Sequence, residues 1–325
     1  MRIRNIILLL LAAALFAGCG EELIETRNAN IIEFSPFRST SFTRGIAVNN
    51  PADIAAQGGF KVWGYRHTGT WLGSGVTLFD GTTVTSTDGG VTWSYGTPVH
   101  WPMNELVSFF GYAPASAAGV VTVPIGTPPQ LICEVAVDPA AQIDLLIAVP
   151  QLDRHGYIPV EMNFRHVLSR VTFSARKAAG VTAEIRISKI ELRNLYRFGT
   201  TDFMTHVWTP TGVSSNFVLT TAAGLLENTA LTTSSQMLST TAGTMFMMPQ
   251  TLVSRPGGSP PDAELWVTFT AHGYEFEYMV STFPSAAWQS GVSYNYELLL
   301  DGFTVVAIIR GELENPITGP GWGSY

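Results

Sequence analysis

Residues 264–280 read ELWVTFTAHGYEFEYMV. Leu265, Val267, Phe269 and Ala271 fall on one side of an extended chain. His272 and Gly273 supply a two-residue turn, and Tyr274, Phe276, Tyr278 and Val280 return on the same alternation. A period of two marks a strand with one buried face, and two such runs around a short glycine-containing turn predict a β-hairpin. Residues 295–313, NYELLLDGFTVVAIIRGEL, repeat the design around Asp301-Gly302. Val305 to Ile309 are apolar at every position, which predicts a strand covered on both faces.

The same pattern extends outward from these hairpins. VTFSAR (171–176) places Val171, Phe173 and Ala175 on one face. AEIRISKIELRNL (183–195) starts in the phase of Ile185 and Ile187 and shifts to that of Ile190 and Leu192, so a bulge is expected near Ser188-Lys189. FKVWGYR (60–66), VTWSY (91–95), LVSFFGYAP (106–114) and IDLLIAVP (143–150) read as strands, bounded by Gly, Pro and Asp-Gly turn signals. Ile31 to Phe34 fit one short strand, and Ala52 to Ala56 one helical turn. Helical periodicity is otherwise scarce, and the Thr-, Ser- and Ala-rich residues 214–242 read as a long irregular connection. Many short strands with frequent turns predict an all-β chain of β-sandwich architecture. The length favours two sandwiches in tandem, with the boundary at 154–158, where QLDRHGY (151–157) interrupts the strand pattern.

Composition agrees. The chain has 325 residues, 46% hydrophobic and 13% charged, enough for a sizeable core. Its net charge of −7 argues against nucleic acid, which demands a basic surface. At the N-terminus, Arg2 and Arg4 precede an apolar run from Ile6 to Phe16, too short to span a bilayer and suited to a secretory signal. FAGC (16–19) resembles a bacterial lipobox, with Phe16 where Leu is commoner. That resemblance implies a signal peptide over 1–18 and a lipid on Cys19, anchoring the chain to the outer membrane. With Cys19 so used, Cys133 has no partner for an intrachain disulfide. No later segment offers about 18 uninterrupted apolar residues.

Catalytic signatures are lacking. The six histidines include no HExxH or zinc-type spacing, and the chain has no phosphate loop and no GxSxG elbow. No metal ligand set and no cofactor are expected. Cys133 lies in apolar LICEVAV and reads as a buried structural thiol; His166 reads as a packed, hydrogen-bonded histidine. Trp63, Trp71, Trp93 and Trp101 fit either a sandwich core or a sugar-stacking face.

Several phrases, in order, resemble the fimbrillin family of Bacteroidetes-type pili. They are FKVWGY (60–65), TWSYGTPVHWP (92–102), VSFFGYAP (107–114), MNFRHVLSRVTFSAR (162–176), ISKIELRNL (187–195), MFMMPQ (245–250) and WQSGVSYNYELLL (288–300), closed by ENPITGPGW (314–322). The resemblance spans nearly all the chain after residue 45. It implies two transthyretin-like Greek-key sandwiches, at 46–157 and 158–325, and a non-enzymatic subunit of cell-surface fimbriae serving adhesion. Export as a lipoprotein is implied too, with other fimbrial subunits as partners. The resemblance further implies that an arginine-specific protease removes an N-terminal segment with its strand, here 19–45, and that a strand from the next subunit fills the groove left behind. Arg27, Arg38 and Arg44 precede the first long strand. Arg44 lies nearest the folded start and follows the strand at 31–34. The candidate donor strand is C-terminal, with Phe303, Val305, Ala307 and Ile309; the alternative is that it is a permanent core strand. Stalk, tip and anchor roles remain open. A second reading is a non-polymerising surface lipoprotein that binds glycans through exposed tryptophans; host or bacterial surface glycans or proteins are further candidate partners.

Overall fold

The computed structural model describes residues 30–36, 48, 50–71, 75–117, 119–122, 129–148, 150–156, 158–255, 257, 261–281 and 283–314, with side chains as far as Ile309. From the N-terminus the strands are β1 (Phe34–Pro36), β2 (Phe60–His67), β3 (Val76–Val84), β4 (Leu106–Ala113), β5 (Gly119–Thr122), β6 (Gln130–Glu134), β7 (Leu146–Ala148), β8 (Gln151–Arg154), β9 (Val160–Met162) and β10 (Phe164–His166). There follow β11 (Ser169–Lys177), β12 (Arg186–Asp202), β13 (Trp208–Thr220), β14 (Gln236–Met237), β15 (Met245–Met247), β16 (Glu264–Ala271), β17 (Tyr274–Met279), β18 (Val292–Leu300) and β19 (Val305–Glu314). One α-helix, α1 (Pro51–Ala56), begins at an Asn50 cap whose side chain accepts the Asp53 amide.

The strands form four sheets. One is β10-β7-β4-β2-β3, with β8 on β4; a second is β17-β16-β12-β6-β5, with β13 on β12; a third is β14-β11-β18-β19, with β15 on β11; the last is the pair β1-β9. The deciding stretch is the β16–β17 hairpin. Ala271 faces Tyr274 across His272 and Gly273, both at positive φ (52° and 82°), the conformation that a tight hairpin turn requires. Leu265, Val267, Phe269 and Ala271 are all buried. The bulge expected in β12 is present, as the register against β16 slips between Ile187 and Lys189. That slip lets both Ile187 and Ile190 reach the core.

Two readings are corrected. Residues 208–220, half of which were expected to be irregular, form β13, which pairs with Lys189–Thr201 of β12. Only Phe217 and Leu219 of its later half are buried, so Thr and Ser occupy the solvent face, where their β propensity supports the strand without an apolar alternation. VTWSY (91–95) contributes only an isolated bridge, Thr85 to Ser94, just after the tight Asp88 turn.

The central element is β12. Its first half pairs with β16 and its last five residues with β6, both on one edge, while β13 runs along the other. Where the partner changes, Gln250 substitutes for a strand. Its Oε1 accepts the Tyr196 amide at 2.9 Å and its Nε2 donates to the Tyr196 carbonyl at 3.0 Å. Gln250→Leu removes both of these partners from a half-buried peptide and is expected to cost about 1–2 kcal/mol, read as a lower urea midpoint at unchanged slope.

Two apolar cores result. The larger lies between the β11-β18 sheet and the β12-β16 sheet, and continues under β6 to one face of β2, β4 and β7 through Trp63, Tyr65, Phe110, Tyr112 and Ile147. The opposite face of those strands carries Phe60, Val62, Val107, Phe109, Leu146 and Ala148 into a second core. With both faces buried, β4 reads as the continuous apolar run LVSFFGYA.

Candidate functional site

The second core is roofed mostly by short pieces: β9, α1, residues 93–101, and the segment 30–36. That last segment is clamped from two sides. Its first half pairs antiparallel with 99–101. The Ile32 amide donates to the Val99 carbonyl and the Trp101 amide to the Asn30 carbonyl, both at 2.8 Å, with Ile31 bridged to His100. Beyond residue 33 it switches partner and runs parallel to β9, Phe34 opposite Val160 and Pro36 opposite Met162, with the Val160 amide donating to Glu33 at 2.7 Å. The Tyr95 hydroxyl donates to the Ile32 carbonyl.

This alternation sends Ile32 and Phe34 inward, to 0% and 5% exposure. The Phe34 ring meets Phe60, Phe79, Tyr95 and Phe109 at centroid separations of 5.2–6.1 Å and interplanar angles of 72–86°. Edge-to-face contacts of this kind add to the area buried. The roof can lie so close because β4 carries Gly111: a Cβ there would come within 2.6 Å of Met162 Cε and 2.7 Å of the Lys61 carbonyl.

Past the undescribed residues 37–47, the chain is pinned again. The Val48 amide donates to Asp144 Oδ2 at 2.9 Å, and Asp144 Oδ1 pairs with His166 Nδ1 at 2.9 Å, both side chains fully enclosed. Burial lowers the pKa of the nearby Arg170 guanidinium, and the Asp144 carboxylate opposes that shift. Segment 30–36 is thus seated in a groove formed by β9, residues 93–101 and the strands beneath them.

The expected site residues fall as follows. Cys19 and Arg44 lie outside the described residues. Phe303 is 60% exposed in the β18–β19 turn, its ring stacked on His272 at 4.9 Å. Val305 is buried, and Ala307 and Ile309 pack half-buried against the larger core. The expectation that Val305–Ile309 is covered on both faces is corrected: β19 ends its sheet, and Val306 and Ile308 face outward, exposed. Of the two readings of the tryptophans, the structure favours the core: Trp63, Trp71 and Trp101 are buried and Trp93 stands half-buried against Phe60. The sequence reading missed Asp144 and Tyr95, whose roles depend on contacts 96 and 63 residues away.

Two constellations have catalytic chemistry but no access. His67 Nδ1 faces the Gly69 carbonyl at 2.8 Å, leaving Nε2 to accept the Ser108 hydroxyl at 2.9 Å. A base aligned on a hydroxyl is how serine nucleophiles are activated. Ser108, however, is fully buried and its oxygen also accepts the Asp153 amide, so the pair fastens β8 to β2 and β4. Burial pushes the Cys133 thiol up to about 11, which keeps it protonated near neutrality. Among the described residues, no group of three His, Cys, Asp or Glu side chains is placed to hold a metal ion, and no helix is long and apolar enough to cross a membrane.

The fold has solved counterparts. A fimbrial protein from Bacteroides vulgatus superposes with a TM-score of 0.64 at 15% identity, over 90% of this chain and 100% of that one. Candidate cell adhesion proteins from Bacteroides uniformis and Bacteroides ovatus superpose with a TM-score of 0.51, at 16% and 12% identity, over 87% of this chain and 98% and 95% of theirs. No curated protein matches the chain. The fimbrillin-like family model matches residues 43–315, most of the described fold, and the chain belongs to that family.

Proposed function

We propose that this chain is a cell-surface fimbrial subunit, exported as a lipoprotein on Cys19, built of two transthyretin-like halves, and completed by strand exchange with other subunits. One observation carries the reading. Segment 30–36 fills the second core with Ile32 and Phe34, yet it joins the remaining fold only through residues 37–47, which contain Arg38 and Arg44. An arginine-specific cut at either residue frees the strand; a cut at Arg27 leaves it attached. Cys19 and the strand lie on one covalent segment, so the same cut releases lipid and strand together. An open groove then presents unpaired backbone groups and an uncovered apolar face, which a donated strand satisfies. A head-to-tail contact of this kind repeats into a filament. The candidate donor, β19, already lies at a sheet edge.

Treatment of the full chain with an arginine-specific protease, followed by N-terminal mass spectrometry and gel analysis without boiling, tests this. A start at Gly45, loss of residues up to 44, and, with the other fimbrial subunits present, a ladder of polymers are expected; Arg44→Ala shifts the start to Ser39. A trimmed chain that stays monomeric with those subunits present defeats the polymer-forming role. Cys19→Ala is expected to move the untrimmed chain from the membrane fraction to the soluble one.

A further inference from the structure

The groove does more than accept a strand, because its walls specify which side chains that strand brings. Resting on the strand-exchange reading above, we infer that the strand completing this groove in an assembly carries an apolar residue and an aromatic one two positions later, and comes from a different subunit rather than a second copy of this chain.

Three positions set the requirement. The first, held by Ile32, is fully buried and needs an N–H, which donates to Val99. The second, held by Phe34, is walled by the four rings of Phe60, Phe79, Tyr95 and Phe109, each meeting it steeply at 5.2–6.1 Å. Only another ring reproduces these edge-to-face contacts, and a smaller aliphatic leaves space beside rigid walls. The third, held by Pro36 opposite Met162, asks for no N–H.

Residues 303–325, which include the candidate donor β19, do not meet the first two positions together. In 303–325 the rings are Phe303, Trp322 and Tyr325. Two places before Phe303 stands Asp301, a carboxylate that caps its own turn. Two places before Trp322 stands Pro320, which has no N–H, and two before Tyr325 stands Gly323, which has no side chain to fill the Ile32 position. Within Val305–Glu314, pairs at the right spacing such as Val306 and Ile308 are aliphatic only.

The test uses the full chain trimmed by the arginine-specific protease and three synthetic peptides: residues 28–37, the same peptide with Phe34→Ile, and residues 302–314. Retention is followed by native mass spectrometry and dissociation rate. The inference expects the 28–37 peptide to be held, its Phe34→Ile form to leave at least about tenfold faster, and 302–314 to be held no better than that form. Equal retention of 302–314 and 28–37 overturns the inference and leaves strand exchange standing. Retention of no peptide by a trimmed, still folded chain defeats strand exchange and the inference with it. Should trimming unfold the chain, the intact protein serves. Phe34→Ile is then expected to speed hydrogen exchange at the Ile32 amide by at least about tenfold, and an unchanged rate overturns the aromatic requirement.

Discussion

Phe34→Ala is expected to remove about 3–5 kcal/mol from the N-terminal half of the fold, the range for truncating a buried phenylalanine. The side chain is 5% exposed and touches four aromatic rings, so little can collapse into the space it leaves. The loss should be local, since the second core is a cluster separate from the one that holds β11, β16 and β18. Hydrogen exchange therefore locates it: faster amides are expected at Ile32, Trp101 and Val160, with the β11–β18 ladder unchanged. Scanning calorimetry should show the first transition lowered by about 5–10 °C. Phe303→Ala is the control. Its ring is 60% exposed, and a change within about 0.5 kcal/mol is expected. Equal effects from the two substitutions would mean that segment 30–36 does not seal the core.

Asp144→Ala should cost a comparable amount, about 3–5 kcal/mol, for a different reason. One carboxylate serves the Val48 amide and the His166 ring, and it opposes the burial cost at Arg170. Deleting it strands donors and positive charge in an enclosed place, where water cannot substitute. Asp144→Asn retains one acceptor oxygen without the charge and should recover part of the loss. Urea midpoints of the three proteins order the outcome as wild type, Asn, Ala. Because Val48 follows both candidate cut sites, Asp144→Ala should also loosen the new N-terminus of the trimmed chain, seen as faster exchange at the Val48 amide. An Ala variant as stable as wild type would show that the pin is dispensable.

Much of the fold was legible because one physical rule dominates it. A strand with one buried face must alternate, so β16 announced itself; β11 and β18 keep the same apolar spacing although polar residues of their other face, among them Ser174, Ser293 and Glu297, are buried too, and a phase change between Ile187 and Ile190 revealed the bulge. The rule fails where burial is two-sided or absent. The β4 stretch lost its alternation because both faces are covered, and β13 lost it because most of its side chains face solvent. Apolarity misled in the other direction at β19, where Val306 and Ile308 are exposed although their neighbours are inward. The candidate groove was half legible. Ile32 and Phe34 carry the right spacing for a strand, but the four rings that surround Phe34 come from residues 60, 79, 95 and 109, and only the folded chain brings them together. Asp144 was invisible for the same reason, being one acidic residue in an apolar run.

A strand of 17 residues with partners at both ends has a mechanical meaning. A pull that reaches β6 at one end and β16 at the other travels along the covalent backbone of β12. It bears on the hydrogen bonds of both ladders sideways, so they must fail together rather than one by one. Gln250 keeps the intervening peptide tied where neither ladder reaches. The β16 and β6 ladders thus share load through one continuous strand.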